Sequence, residues 1–255
     1  MQGARPCVRC SALTVIVTHI SELGIVHGAD SNISDGHGKL VGHSEKIFPV
    51  PRLKAAVSVA GCYSVSGRPM SEWLKRKISA DRSATLLALA RVLIDALNSE
   101  ASADERTIGY FLHLAGYASA EGHFHPEFYK IANLEIDAQT GEYHLLSHSL
   151  TFSEEFWSAH GHFAPSDLFA GGKGYIYCNG FPSGRTAYFA LLRLMAQYRS
   201  TVWGNPNWSF RPPQNVQEEA AYLKLDMEQI GTLFRASDYP PVVGGPIETY
   251  AIPCP

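Results

Sequence analysis

The apolar positions of this chain fall first in short strand-like runs and then at helical spacing. Leu13 to Ile20 is rich in β-branched residues, and Gly24 to Ala29 is a second apolar run. Ser21-Glu22-Leu23-Gly24 turns between them, so the pair reads as a hairpin of two largely buried strands. Asp35-Gly36-His37-Gly38 marks the next turn, and Lys39 to Val50 supplies another strand region, interrupted by Pro51-Arg52. Leu53 to Ala60 reads as a fourth strand ending at Gly61. The spacing then changes. Pro69 to Ile78 is an amphipathic helix, and Ser83 is the expected cap of a longer one, Ala84 to Asn98, with Leu86, Leu89, Leu93 and Leu97 on one face.

Thr107 to Tyr117, Glu127 to Ile136 and Tyr143 to Leu150 read as further strands, with a short one at Tyr175 to Cys178 after the Gly171–Gly174 loop. A helical pattern follows Gly184 as far as Tyr198. Pro206 to Pro213 is a polar loop, and a second helix runs from Val216 to Phe234. The last strand is Ile247 to Ile252, entered through Gly244-Gly245-Pro246. Strands grouped between helix pairs predict an α+β fold, two antiparallel sheets face to face with helices outside: a four-layer αββα sandwich. No repeat or linker divides the chain, so residues 14–255 are expected to be one domain, with residues 1–13 an appended leader or a mis-assigned start.

Composition narrows the function. The chain has 255 residues, 45% hydrophobic and 18% charged, enough for a large core. Its net charge is −3 with no basic run, which gives no support for a nucleic-acid partner. No apolar run approaches the ~18–20 residues of a spanning helix, so no membrane partner is expected. Arg5 and Arg9 precede the apolar stretch Leu13 to Val17, which is too short for a secretory signal and lacks a small-residue cleavage site. Five cysteines, an odd number in a long chain, point to reduced thiols and a cytoplasmic location.

The candidate chemistry is a set of spacings. Thr14 opens the first strand, Asp30 ends the second sixteen positions later, and Lys46 lies on the third, sixteen beyond that. Singly, an Asp at a strand end is most often a turn residue, and a Lys beside Glu45 a solvated pair. Order and context carry the reading: Gly28-Ala29-Asp30-Ser31, Glu45-Lys46-Ile47-Phe48 and Val59-Ala60-Gly61. In these residues the chain resembles the β-type subunits of proteasomes, within the N-terminal nucleophile (Ntn) hydrolases, and is similar to uncharacterised bacterial proteasome-like proteins. The resemblance is strongest over residues 14 to 61 and topological beyond, with Gly184 onward resembling the family's third helix and Val243 to Glu248 its final strand.

The resemblance implies a threonine-type peptide or amide hydrolase with Thr14 as nucleophile, Asp30 and Lys46 as its partners, Gly61 as oxyanion donor and Ser183 supporting the amine. Extended substrates would pair with the segment Asn32, Ile33 and Ser34. It also implies a homo-oligomer, in the family a ring, and neither metal nor organic cofactor. A threonine hydroxyl is a weak nucleophile that needs an adjacent base. Were Thr14 the first residue, its α-amine, ordinarily of pKa about 7.7–8.0, would take the proton. The Lys46 ammonium would keep that amine unprotonated, and Asp30 would hold the lysine. An oxyanion donor such as the Gly61 N–H is worth on the order of 10²–10³ in rate.

The sequence also departs from the family. Counting back from Gly244, the second aspartate and serine are replaced by Pro240 and Val243, with Ser237 and Asp238 the nearest stand-ins. Asn32 stands where the family has arginine, and Leu13 where its precursors have glycine. Exposure of Thr14 would need autocleavage, or translation starting at a leucine codon at position 13 followed by methionine removal. The alternative is a catalytically inactive assembly or scaffold subunit of the same fold. Three further patterns read as bland. Cys7-Val8-Arg9-Cys10 lacks a second pair for zinc. His123/His125 and His160/His162 have no evident carboxylate partner. Gly171-Gly172-Lys173-Gly174 lacks P-loop spacing.

Overall fold

The computed structural model describes residues 14–34, 39–120, 123–136, 143–145, 151–153, 175–180, 187–192, 212–237 and 243–255. The first half forms β1 (Val15–Ser21), β2 (Gly24–Asp30), β3 (Asn32–Ser34), β4 (Leu40–His43), β5 (Ile47–Val50) and β6 (Ala55–Gly61), then a two-residue hairpin of β7 (Ser64–Val65) and β8 (Arg68–Pro69). Helices α1 (Met70–Ala80), α2 (Leu86–Glu100) and α3 (Ala103–Ile108) follow. Next come β9 (Tyr110–Ala120), β10 (His123–Ala132), β11 (Leu134–Ile136), β12 (Tyr143–Leu145), β13 (Thr151–Ser153) and β14 (Tyr175–Gly180). Residues 187–192 are helical, and α4 (Val216–Arg235) and β15 (Ile247–Pro253) complete the described elements.

The chain is a mixed α/β protein with antiparallel sheets. The two large ones are a four-stranded sheet in the order β14-β1-β2-β15 and a five-stranded sheet in the order β13-β10-β9-β6-β5, beside three two-stranded ones. Alternation along each strand sorts the side chains, because successive residues point to opposite faces. Ile16, Ile20, Ile25 and Ala29 of the first sheet meet Ala56, Ala60, Phe111, Ala115 and Phe128 of the second in one buried cluster. The other face of the second sheet, through Val57, Val59, Leu112 and Leu114, packs against Trp73 and Leu74 of α1 and Leu89, Leu93 and Leu97 of α2. Val15, Val17 and Val26 of the first sheet pack against Leu223, Met227 and Ile230 of α4. Even the larger clusters alternate with the strand period of two, and the leucines of α2 with the helical one.

Several expected boundaries move. The Lys39–Val50 region is two strands, β4 and β5, separated by Ser44-Glu45-Lys46, and Pro51–Leu53 is a single 3-10 turn before β6. Ser83 is not the cap of α2. Thr85 is, its hydroxyl accepting the Ala88 N–H at 3.2 Å, while the Ser83 hydroxyl donates to Asp81 Oδ1 at 2.6 Å. The expected strand start at Thr107 is instead α3, whose Ser102 and Glu105 form a reciprocal capping box. Gly109 then breaks the helix, and β9 begins at Tyr110. Tyr143–Leu145 pairs with β11 as a separate two-stranded sheet rather than extending the large one. The 35–38 turn, residues 146–150, the 171–174 loop and residues 1–13 lie outside the described residues.

Candidate active site

Strand pairing brings the beginning of β1 beside the end of β2. Ile16 is opposite Ala29, so Thr14 and Asp30 flank the last rung. Asp30 Oδ1 accepts the Val15 N–H at 2.8 Å, and Oδ2 accepts the Gly244 N–H at 3.2 Å. Gly244 comes from the segment leading into β15, whose Ile247 pairs with Asp30 itself. Three consecutive parts of the first sheet therefore fasten one carboxylate. Lys46 arrives from the other sheet. It immediately precedes β5, and its carbonyl accepts the Val59 N–H at 3.0 Å, so it sits beside the terminal part of β6.

The three side chains converge. Lys46 Nζ donates to Thr14 Oγ1 and to the Asn32 carbonyl, and lies 3.8 Å from Asp30 Oδ1. Thr14 Oγ1 also lies 3.5 Å from the Asn32 carbonyl oxygen, at the limit of a hydrogen bond. Lys46 is 1% exposed and Asp30 fully buried, so this lysine is no solvated surface charge. Its sequence neighbour Glu45 pairs with Lys75 instead. Burial pushes the Lys46 ammonium below its ordinary value, and the negative charges of Asp30 and then Glu248 oppose that. Burial raises the Asp30 carboxyl; Lys46 and the backbone N–H groups of Val15, Gly244 and Asn32 oppose it. The pair tolerates burial because each ion has the other, plus the fixed dipoles of the backbone N–H groups, to offset desolvation.

Chemically, an ammonium aimed at a threonine oxygen stabilises negative charge developing there, the requirement for making a hydroxyl nucleophilic. It also disfavours a second positive charge nearby, which would keep an adjacent amine in its neutral, basic form.

Gly61 ends β6 with φ +96°, and a side chain there would run into the Gly109 carbonyl oxygen, so only glycine fits. It lies two residues beyond Val59, the residue bonded to Lys46. Gly180, at φ +115°, backs directly onto the Thr14 carbonyl, closing the site on the β14 side. Asn32, Ile33 and Ser34 form β3, paired with the exposed strand β4. Asn32 supplies the carbonyl that receives Lys46. Ser183 and Asp238 lie outside the described residues. The Ser237 hydroxyl donates to the Phe234 carbonyl at the end of α4, at 2.9 Å.

Two participants escape a reading of the sequence. Gly244 contributes its amide to Asp30, and Glu248 Oε2 accepts the Lys46 peptide N–H at 3.0 Å. Neither has a local signal, because both reach the site only through the pairing of β15 with β2. His125 does have a carboxylate partner, with Nε2 3.5 Å from Glu127 Oε1, two residues away on the same face of β10. Cys7, Cys10, His160 and His162 lie outside the described residues. Among the described residues no group of three or more His, Cys, Asp or Glu side chains is arranged to hold a metal ion, and no helix is long and apolar enough to cross a membrane. In comparisons with known proteins, no family model and no curated protein matches this chain.

Proposed function

We propose that the chain is a proteasome-β-like Ntn hydrolase that cuts peptide or amide bonds through Thr14. The observation that carries this reading is the buried Lys46 ammonium donating to Thr14 Oγ1 with Asp30 Oδ1 3.8 Å behind it. With Thr14 as first residue, its amine takes the hydroxyl proton, the oxygen attacks the scissile carbonyl, and an acyl-enzyme ester forms as the amine product leaves. Water then resolves the ester. Gly61 is the oxyanion donor in this scheme, and β3 with its Asn32, Ile33 and Ser34 the edge along which an extended substrate lies.

The fold belongs to the same proposal: a four-layer αββα sandwich, with α1 and α2 on one side and α4 on the other. It is supported by three buried clusters, one shared by the two sheets and one under each helix layer. A cytoplasmic homo-oligomer, ring-like as in the family, is the assembly that fits this reading. The test is hydrolysis of a panel of fluorogenic peptides and amides by the parent and by Thr14→Ala. Turnover that vanishes in the variant while the melting curve is retained supports the reading. Equal turnover by both sinks the nucleophile, and a parent inert towards every substrate favours the inactive scaffold subunit.

A further inference from the structure

Lys46 immediately precedes β5, an edge strand among the described residues; its carbonyl bonds to β6 through the Val59 N–H, while its own N–H needs a partner from elsewhere. At Lys46 that partner comes from the other sheet. Glu248, the second residue of the edge strand β15, extends its carboxylate across and accepts the Lys46 N–H at 3.0 Å. The site thus has two carboxylates for one buried cation. Asp30 faces the ammonium end of Lys46, and Glu248 grips its backbone. A glutamine would satisfy the same N–H; the charge is extra, and it is felt at the ammonium.

We infer that Glu248 is a positioning residue for Lys46: its carboxylate clamps the peptide that delivers the lysine and brings a second negative charge to the residue whose ammonium faces Thr14. This rests on the reading of Lys46 as the partner of the nucleophile. Among the described residues, four titratable groups bear on Lys46 or its immediate neighbour. Asp30 comes from β2 and Glu248 from β15; Glu45 is its neighbour in sequence and is engaged by Lys75. The fourth is Tyr63, whose phenol donates to the Glu45 carbonyl and is pushed up to about 12, mainly by burial, so it stays neutral. Glu248 is therefore the charge whose removal changes the field on Lys46 while leaving its closest counter-ion, Asp30, in place.

The test follows the Lys46 ¹³Cε resonance with pH in lysine-labelled protein, the signal being assigned by its loss in Lys46→Met. In Glu248→Gln the hydrogen bond to the Lys46 N–H is kept and the charge is lost. The Lys46 midpoint is expected to fall by about half a pH unit or more, as removing a nearby opposite charge demands. A midpoint that stays within about 0.2 units overturns the inference, because a purely structural clamp would leave the titration alone. A measurement on the parent protein covers a variant that fails to fold. Its Lys46 amide must show a hydrogen-bond scalar coupling to the Glu248 carboxyl carbon, and an amide without that coupling overturns the inference equally. Acylation of Thr14 by a β-lactone, read by mass on the same samples, reports separately on the nucleophile. Absence of an adduct in the parent removes the catalytic reading while the Lys46 titration still decides the role of Glu248. Where adduct forms, its alkaline limb moves acidward in Glu248→Gln by the same interval.

Discussion

Lys46 reaches Thr14 from the opposite sheet: its Nζ donates to the threonine Oγ1 although Lys46 enters β5 of one sheet and Thr14 enters β1 of the other. The contact therefore depends on how the two sheets are registered against one another. Residues in the layer between them help set that register. Thr18 Oγ1 is 3.0 Å from His113 Nδ1, His27 Nδ1 is 3.2 Å from Ser58 Oγ, and His113 Nε2 is 2.7 Å from Asn179 Oδ1. Each of these bonds joins one sheet to the other, and Thr18, His27, Ser58 and His113 are fully buried.

Asp30 and Lys46 are expected to behave as a unit. Removing either partner leaves the other charge buried and uncompensated, at a cost of about 3–5 kcal/mol. Chemical denaturation of Asp30→Ala, Lys46→Ala and the double variant measures this. The double variant should be less destabilised than the sum of the singles, and additive losses would mean the two charges do not interact.

The inter-sheet histidines predict acid sensitivity. Burial, followed by the neighbouring His113, lowers the His27 pKa to about 3 from its ordinary 6.5. Below about pH 6.5 the unfolded chain binds a proton that the folded chain refuses, so stability falls as the pH drops from there towards 3. From this group alone the loss at pH 5 is about 2 kcal/mol relative to neutral pH. The loss between urea titrations at pH 7.5 and pH 5 should be smaller in His27→Leu than in the parent by about that amount, and an equal loss in both would contradict it.

Gly61→Ala is expected to cost about 1–3 kcal/mol, because φ +96° is strained for any residue with a Cβ and the added methyl meets the Gly109 carbonyl. Under the proposed function the same displacement would also disturb the oxyanion donor. Thermal melting together with Thr14 acylation measures both effects, and an unchanged melting temperature would contradict the fit.

Thr85→Ala should destabilise the protein by about 1 kcal/mol through loss of the α2 cap. Equilibrium denaturation reads the difference, and a neutral variant would show that the packing of Leu86, Leu89 and Leu93 holds that end of the helix unaided.

What the sequence makes legible follows from the range of each signal. The equal intervals between Thr14, Asp30 and Lys46 are visible in the sequence, but Lys46, expected on a strand, lies in the segment before β5, and the three meet only through the stacking of the sheets. The leucines of α2 reveal themselves by period, and so do the apolar runs of β1, β2 and β6. The cap of α2 is misread by two residues because Ser83 and Thr85 are both good capping types; tertiary contact decides between them, Ser83 being held by Asp81, which Arg52 also engages. The helix α3 has only six residues, too few for a periodic signal, and Ser102 with Glu105 is its one local mark. Thr18, His27, Ser58 and His113 look like interruptions of apolar strands until the sheets are stacked. Glu248 is 202 positions from Lys46, and only the pairing of β15 with β2 brings it there.

An N-terminal nucleophile at Thr14 requires a free amine on that residue, and the state of the amine decides the proposed chemistry. N-terminal sequencing of the protein purified from its native host is the measurement. The expected result is a mature chain beginning at Thr14, with the amine free beside Lys46. A mature chain that retains residues 1–13, with Thr14 still in peptide linkage to Leu13, would leave the hydroxyl without its base and contradict it.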